Sequence, residues 1–347
     1  MINGLRITFV RQIYTAEMNL QMRIGLAAQL GEYILSNGAE WQGTKQRASL
    51  TNPWFTPEFI DTATENIANH FLNKQKLVDW TSSYEIQPLA AKKIGIVMAG
   101  NIPLVGFHDF LCVFISGHKA IIKASSKDEV LINHLVQKLK DWNSEINELV
   151  VFQQMLKNCD AYIATGSNNS ARYFEYYFSK YAHIIRRNRT SVAVLDGSET
   201  TEELERLADD VHLYFGMGCR NVTKIFVPKD YDFLPMLTAF KKYNYFKDHH
   251  KYRNNYDYYL ALHILNRKFY MANESLILME NPAIFSPISQ LNYEFYTHKN
   301  AVDEDLRSLD ALQCAVGHGY IPFGEAQLPS LSDYADGTDT MKFLTEL

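Results

Sequence analysis

The chain has 347 residues, 47% hydrophobic and 21% charged, enough to bury the cores of two domains without covalent or metal staples. A formal net charge of −5 excludes a general nucleic-acid binder, which would carry a basic footprint. Four widely spaced cysteines with no C-x-x-C pair exclude a zinc framework and a disulfide scaffold. No metal site is expected, and reduced thiols point to a cytoplasmic setting. No apolar run follows an N-terminal basic segment, and no stretch approaches the ~18 uninterrupted apolar residues of a membrane helix. Neither a signal peptide nor a membrane span is expected.

The first ninety residues read as mainly helical. Thr56-Pro57 supplies a capping hydroxyl and a proline at the first helical position, and Phe59, Ile60, Ile67 and Phe71 follow near helical spacing. That helix is expected to be a packing element with little chemistry.

From Lys93 short apolar runs alternate with longer periodic ones, the pattern of repeated βα units on a parallel sheet. Strands are predicted at Ile94–Ala99, Lys119–Ala124, Ala161–Thr165 and Ser191–Leu195. Helices are predicted from Leu104 to Ser116, closed by Gly117, then over 128–142 and 170–181. The intervening turns contain Asn101, Ser125 with Ser126, and Gly166 with Ser167. In such sheets ligands sit at the carboxyl ends of the strands, where these turns cluster. A charged helix over 201–214 precedes the loop Phe215-Gly-Met-Gly-Cys219-Arg220 and a strand at Lys224–Val227.

Several residues in these turns have chemistry to offer. Cys219 lies between small flexible residues and a strand, and the adjacent Arg220 is expected to lower its thiol pKa; the alternative is a half-buried structural thiol. Asn101 can donate its carboxamide to a developing oxyanion, a contact worth about 3–4 kcal/mol, or serve simply as a turn residue. Lys123, closing its strand, can reach a ribose or its phosphate with Ser125 beside it, or snorkel on the surface. Gly166-Ser167 opens a helix whose backbone N–H groups attract phosphate, although the turn is far from a full dinucleotide fingerprint. His108 and His212 are each able to tune the thiol or to be structural. The tyrosine- and base-rich stretch 243–270 is either a partly solvated aromatic helical face or a surface for a nucleotide-like ligand.

Taken in order, Ala99-Gly-Asn-Ile-Pro-Leu104, Ser116-Gly-His-Lys-Ala-Ile-Ile-Lys-Ala-Ser-Ser126, Ala164-Thr-Gly-Ser167, Phe215-Gly-Met-Gly-Cys219 and the segment Pro329 to Phe343 resemble the aldehyde dehydrogenase superfamily, and within it the LuxC-like acyl-CoA reductases. The resemblance runs from about Lys93 to the C-terminal segment. It implies an α/β fold with a Rossmann-type parallel-sheet domain and a second α/β catalytic domain. Residues 1–197 would form a helical N-terminal region and the nicotinamide-nucleotide domain, 198–325 the cysteine domain, and 326–347 a returning segment. By the same resemblance Cys219 is the nucleophile, Asn101 the oxyanion donor, Lys123 and Ser125 the cofactor-ribose contacts, and Gly166 and Ser167 part of the cofactor crevice.

Departures from the superfamily narrow the reading. The water-activating glutamate of hydrolytic members is missing, its place falling in the stretch Arg186 to Ser191, which disfavours oxidation to a free acid. Phe285-Ser-Pro287 is only a fragment of the superfamily's Glu-x-Phe-Gly-Pro cofactor contact, and the short chain implies a reduced oligomerisation arm. The expected activity is reduction of an acyl-CoA or acyl-carrier thioester to a fatty aldehyde, with NADPH favoured over NADH. The chain is expected to form a homo-oligomer or to meet a partner enzyme that supplies the acyl group. Alternatives are reduction of another activated acid, such as an acyl phosphate, or a non-catalytic nucleotide-binding role.

Overall fold

The computed structural model of the protein describes residues 18–86 and 91–347. The N-terminal stretch read for a leader, and the parts of the helical expectation at 1–17 and 87–90, lie outside the described residues. The chain begins with α1 (Leu20–Ser36), α2 (Ala39–Thr51), α3 (Pro57–Asn66), a π-helical turn (Ile67–Phe71) and α4 (Lys74–Thr81). Thr56 starts α3 as its spelling predicts: the hydroxyl accepts from Phe59 N at 3.2 Å, and Pro57, with no N–H to lose, occupies the first turn. α3 is the packing element its spacing predicts, and it serves two cores: Ile60, with Ile67 of the π-helical turn, joins one, while Phe59 and Ala63 join the other, so the helix wedges between the two halves of the molecule.

Next come β1 (Lys93–Val97), α5 (Phe107–Ser116), β2 (Lys119–Lys123), α6 (Glu129–Trp142), α7 (Ile146–Leu149), β3 (Val150–Phe152), β4 (Ala161–Thr165), α8 (Asn168–Phe178) and β5 (Ala182–Arg186). Their strands form a five-stranded sheet of order β3-β2-β1-β4-β5, parallel throughout. Ile94 and Ile96 of the central strand are fully buried, as a strand covered by helices on both faces requires. The chain runs outward from β1 to β2 on one side and to β4 on the other, which creates a crevice at the carboxyl end of β1. Gly117, at φ +90, ends α5 in the left-handed conformation and returns its N–H to Phe114 O.

The remaining elements are β6 (Thr190–Val194), α9 (Thr201–His212), β7 (Val222–Pro228), α10 (Leu234–Ala239), α11 (His250–Leu265), β8 (Met271–Ala272), β9 (Ile277–Glu280), β10 (Gln290–Tyr296), α12 (Lys299–Arg307), β11 (Leu312–Gly317) and α13 (Thr340–Thr345). A six-stranded sheet of order β11-β6-β7-β10-β9-β8 results, parallel except at β8. The strand at 190–194, grouped in sequence with the first sheet, therefore pairs in the second, and the chain changes sheet at 187–189. Segment 326–347 travels back to the first half. Met341 and Leu344 are fully buried in its core, Trp80 Nε1 donates to the Tyr334 hydroxyl at 2.8 Å, and His118 Nε2 donates to Leu344 O at 2.9 Å. Buried Arg186, at the end of β5, is paired with Asp109 and donates to Thr340 Oγ1 at 2.8 Å. The 243–270 stretch takes the aromatic-face alternative: Tyr243, Tyr252 and Tyr256 are buried against the second sheet, while Arg253 pairs with Asp257 at the surface.

Candidate active site

The loop leading to Cys219 is wound tightly between α9 and β7. Tyr214 and Phe215 both hold left-handed backbone, φ 55° and 57°, and Gly216 follows at 73°. Bulky residues in that region cost about 1–3 kcal/mol each and persist only where their surroundings impose the conformation. The surroundings do so: Phe215 is buried among Trp54, Phe59, Phe246 and Tyr252, with ring centroids 4.6–5.4 Å away. Asn221, fully buried, completes the winding from inside. Its Nδ2 donates to Leu213 O at 2.8 Å and Asp210 O at 3.1 Å, and its Oδ1 accepts from Gly218 N at 2.8 Å. Gly218 is needed for that approach, because a Cβ there would sit 2.9 Å from Asn221 Oδ1. Ser191 Oγ donates to Cys219 O at 3.1 Å from β6.

Cys219 opens onto a cavity of about 160 Å³. Ala63, Ile67 and Phe71 of the α3 region, Ile102 and Val105 after β1, and Leu328 give this space mostly apolar walls. Burial pushes the Cys219 thiol above its ordinary value by more than the neighbouring Arg220 guanidinium pulls it down. That reverses the expectation of a lowered pKa: Arg220 lies beside the thiol in sequence, but its guanidinium donates to Ala326 O at 3.4 Å and to Asp333 O at 3.2 Å. His108 shares the cavity wall. Burial takes its imidazole down to about 4, and its Nε2 is spent on Leu331 O at 3.1 Å. His212, also lowered to about 4 by burial, stacks on Tyr243 at 4.6 Å and donates through Nδ1 to Ala208 O, behind the loop and away from the cavity.

Asn101 reaches the same loop from the first sheet. Its Nδ2 donates to Met217 O at 2.6 Å, two residues before Cys219, and leaves the second amide hydrogen uncommitted there. Its own turn is held by buried Asp128, which accepts from Leu104 N at 2.7 Å and so fixes Leu104 at φ 55°. Val97 at the end of β1 pairs in register with Lys123 on one side and with Ala164 on the other, so Lys123 and the Gly166-Ser167 turn flank the Asn101 turn at one sheet edge. Ser125 packs into that edge; a Cβ on Gly100 would come within 2.4 Å of its Oγ, which also accepts from Lys127 N at 3.3 Å. Ser167 caps α8 by accepting from Ser170 N at 3.2 Å.

A dinucleotide fits this edge. Lys123 is exposed and makes no ion pair among the described residues, and across β1 the positive end of the eleven-residue helix α8 faces the same crevice.

Three residues that build the site were not singled out from sequence. Asn221 winds the loop. Buried Asp210 accepts from Gly324 N at 2.7 Å and Ala326 N at 3.1 Å, and burial raises its carboxyl to about 7. Gln327 lines the cavity wall beside Gly218. Only the i+2 spacing of Asn221 from Cys219 hinted at any of them.

A model of the acyl-CoA reductase (LuxC) family matches residues 60–235. A search of curated proteins gives no match. Among solved structures, the chain is similar to an indole-3-acetaldehyde dehydrogenase from P. syringae in complex with NAD+ and IAA, with TM-score 0.64 and 11% identity over 86% of this chain and 72% of that one. It is also similar to the NAD+ complex of an aldehyde dehydrogenase from Bacillus cereus, with TM-score 0.62 and 13% identity over 87% and 72% of the two chains. An NAD-dependent aldehyde dehydrogenase from Sinorhizobium meliloti gives TM-score 0.62 and 11% identity over 90% and 72%. At these identities the likeness is one of fold.

Proposed function

The chain belongs to the acyl-CoA reductase (LuxC) family and is an oxidoreductase of acyl or aldehyde groups, and from that premise we propose that it reduces a fatty acyl thioester to an aldehyde through an acyl-enzyme on Cys219. The observation that carries this reading is the position of Cys219 on an apolar cavity, next to a loop that the Asn101 carboxamide touches. The Cys219 sulfur bonds to the thioester carbonyl carbon and the carbonyl π pair moves onto oxygen. Asn101, with its uncommitted amide hydrogen, and the Cys219 N–H are the donors to that oxygen. Collapse expels the CoA or carrier thiolate, which takes up the proton lost by Cys219. The apolar walls receive the acyl chain and exclude water, and His108, whose imidazole burial takes down to about 4 and whose Nε2 is spent on Leu331 O, is a weak base for activating water. Lys123 and the α8 N-terminus hold the dinucleotide, with NADPH preferred because Lys123 is free to meet a 2′-phosphate. When bound, the reduced nicotinamide supplies the hydride to the acyl carbon. Cys219 is then the leaving group as aldehyde departs.

The test is intact-mass analysis after incubation, without cofactor, with acyl-CoA thioesters from acetyl to palmitoyl. Wild type should gain one acyl mass and Cys219→Ala none, and the variant should lose thioester-dependent NADPH oxidation. An adduct from acyl phosphate but from no thioester would reassign the substrate. A wild-type chain that binds no nicotinamide nucleotide and takes no acyl group would overturn the proposal.

A further inference from the structure

Segment 324–333 crosses the mouth of the cysteine loop and is tied down at nearly every polar point. Gly324 and Ala326 donate their N–H groups to Asp210, Arg220 donates to Ala326 O and Asp333 O, and His108 donates to Leu331 O. The backbone of Gln327 is held as well, its carbonyl accepting from Asn66 Nδ2 at 3.5 Å. The Gln327 side chain is the exception. The residue is only 9% exposed, and its Nε2 is buried with no hydrogen-bond partner. A buried donor left unpaired costs about 1–3 kcal/mol, so a chain that invests this much in fixing the segment while leaving its one amide idle has a ligand to offer it to.

The place of that amide points to the ligand. Gln327 lines the same cavity as Cys219, and its Nε2 lies 3.8 Å from the position a Cβ would take on Gly218, the residue before the nucleophile. Asn101 already spends one amide hydrogen on Met217 O. We propose that Gln327 is a further catalytic residue, its Nε2 donating to the oxygen of the acyl group as Cys219 attacks, in addition to the donors from Asn101 and the Cys219 backbone. The assignment rests on the acyl-thioester reading above. It gives segment 324–333 a direct part in the chemistry, with Asp210, Asn66 and Arg220 as positioning residues for it.

The experiment compares wild type with Gln327→Met, which keeps length and apolar bulk but has no donor, and with Gln327→Glu, which keeps an acceptor. Acylation of Cys219 by decanoyl-CoA is followed by rapid-quench intact mass without cofactor, beside modification of the same thiol by methyl methanethiosulfonate, which develops no oxyanion at a carbonyl. Removing the donor should slow the maximal acylation rate about 10- to 100-fold in both variants, leave the half-saturating decanoyl-CoA concentration within about twofold, and leave thiosulfonate modification within about twofold. Equal slowing of both reactions marks a merely structural residue and overturns the assignment. So does a Gln327→Glu variant as fast as wild type, which would make the side chain an acceptor. Unchanged acylation in Gln327→Met overturns the assignment while the thioester reading stands; a wild type that decanoyl-CoA and every other thioester fail to acylate removes both.

Discussion

The cysteine loop and the Lys123 edge of the first sheet are built in opposite ways. Around Cys219 the backbone is forced into left-handed turns, wrapped in aromatic rings and cross-tied by Asn221, Asp210 and Arg220. At the sheet edge Lys123 ends its strand with an exposed side chain, and exposed Ser167 caps α8 by a bond only three residues long. A nucleophile that must meet a carbonyl within a few tenths of an ångström benefits from a position fixed in advance. A dinucleotide that must enter and leave benefits from contacts that solvent can replace. The difference teaches that burial here serves placement at the expense of thiol ionisation, since it raises the Cys219 pKa.

The sharpest way to break this comparison is pH. With the thiol raised by burial, the neutral form dominates at neutral pH, and the reactive thiolate grows as pH rises. Acylation without cofactor should therefore climb about tenfold per pH unit, about a thousandfold between pH 6 and 9. A plateau below pH 8 in stopped-flow acylation would mean that Arg220 outweighs burial after all. Second, Asn101→Ala removes the proposed oxyanion donor and a tie to Met217 together, and should lower the maximal acylation rate about 100- to 1,000-fold. A loss below tenfold would show the oxygen to be held elsewhere. The mildest effect belongs to the open edge: Lys123→Ala should raise the half-saturating NADPH concentration about tenfold, roughly one exposed charge–phosphate contact. Acylation of Cys219 should not change, and a parallel fall in acylation would mean that the two regions are not separable.

Legibility divides along the same line. The strands β1, β2 and β4 and the turns bearing Asn101, Lys123 and Gly166 follow local apolar spacing, and their sequence bounds agree with the structure to within about two residues. The loop of Cys219 was visible because glycines announce close approach. What surrounds it was not. Asp210 meets Ala326 across 116 positions and Asn66 meets Gln327 across 261, distances over which no periodicity speaks. The direction of the Cys219 shift failed for the same reason: Arg220 is a neighbour in sequence, whereas burial depends on how α3, the β1 turn and segment 324–333 close together. For β6 the strand itself was legible, but its partners were not, because pairing is settled by β7 and β11 beyond it. The strand β3, three residues long, is too brief to show a period, and His183 interrupts the apolar run of β5.

The return of 326–347 into the first half has a consequence for the birth of the protein on the ribosome. The five-stranded sheet is synthesised by residue 186, yet Met341 and Leu344, which fill its core, and Thr340, which receives a bond from Arg186, emerge some 150 residues later. Until then the helix α5 has an uncovered apolar flank and Arg186 and Asp109 lack their third companion. The core of the early half is complete only once the late segment has joined it, and because that segment lines the cavity of Cys219 on its way, the same event closes the walls around that thiol.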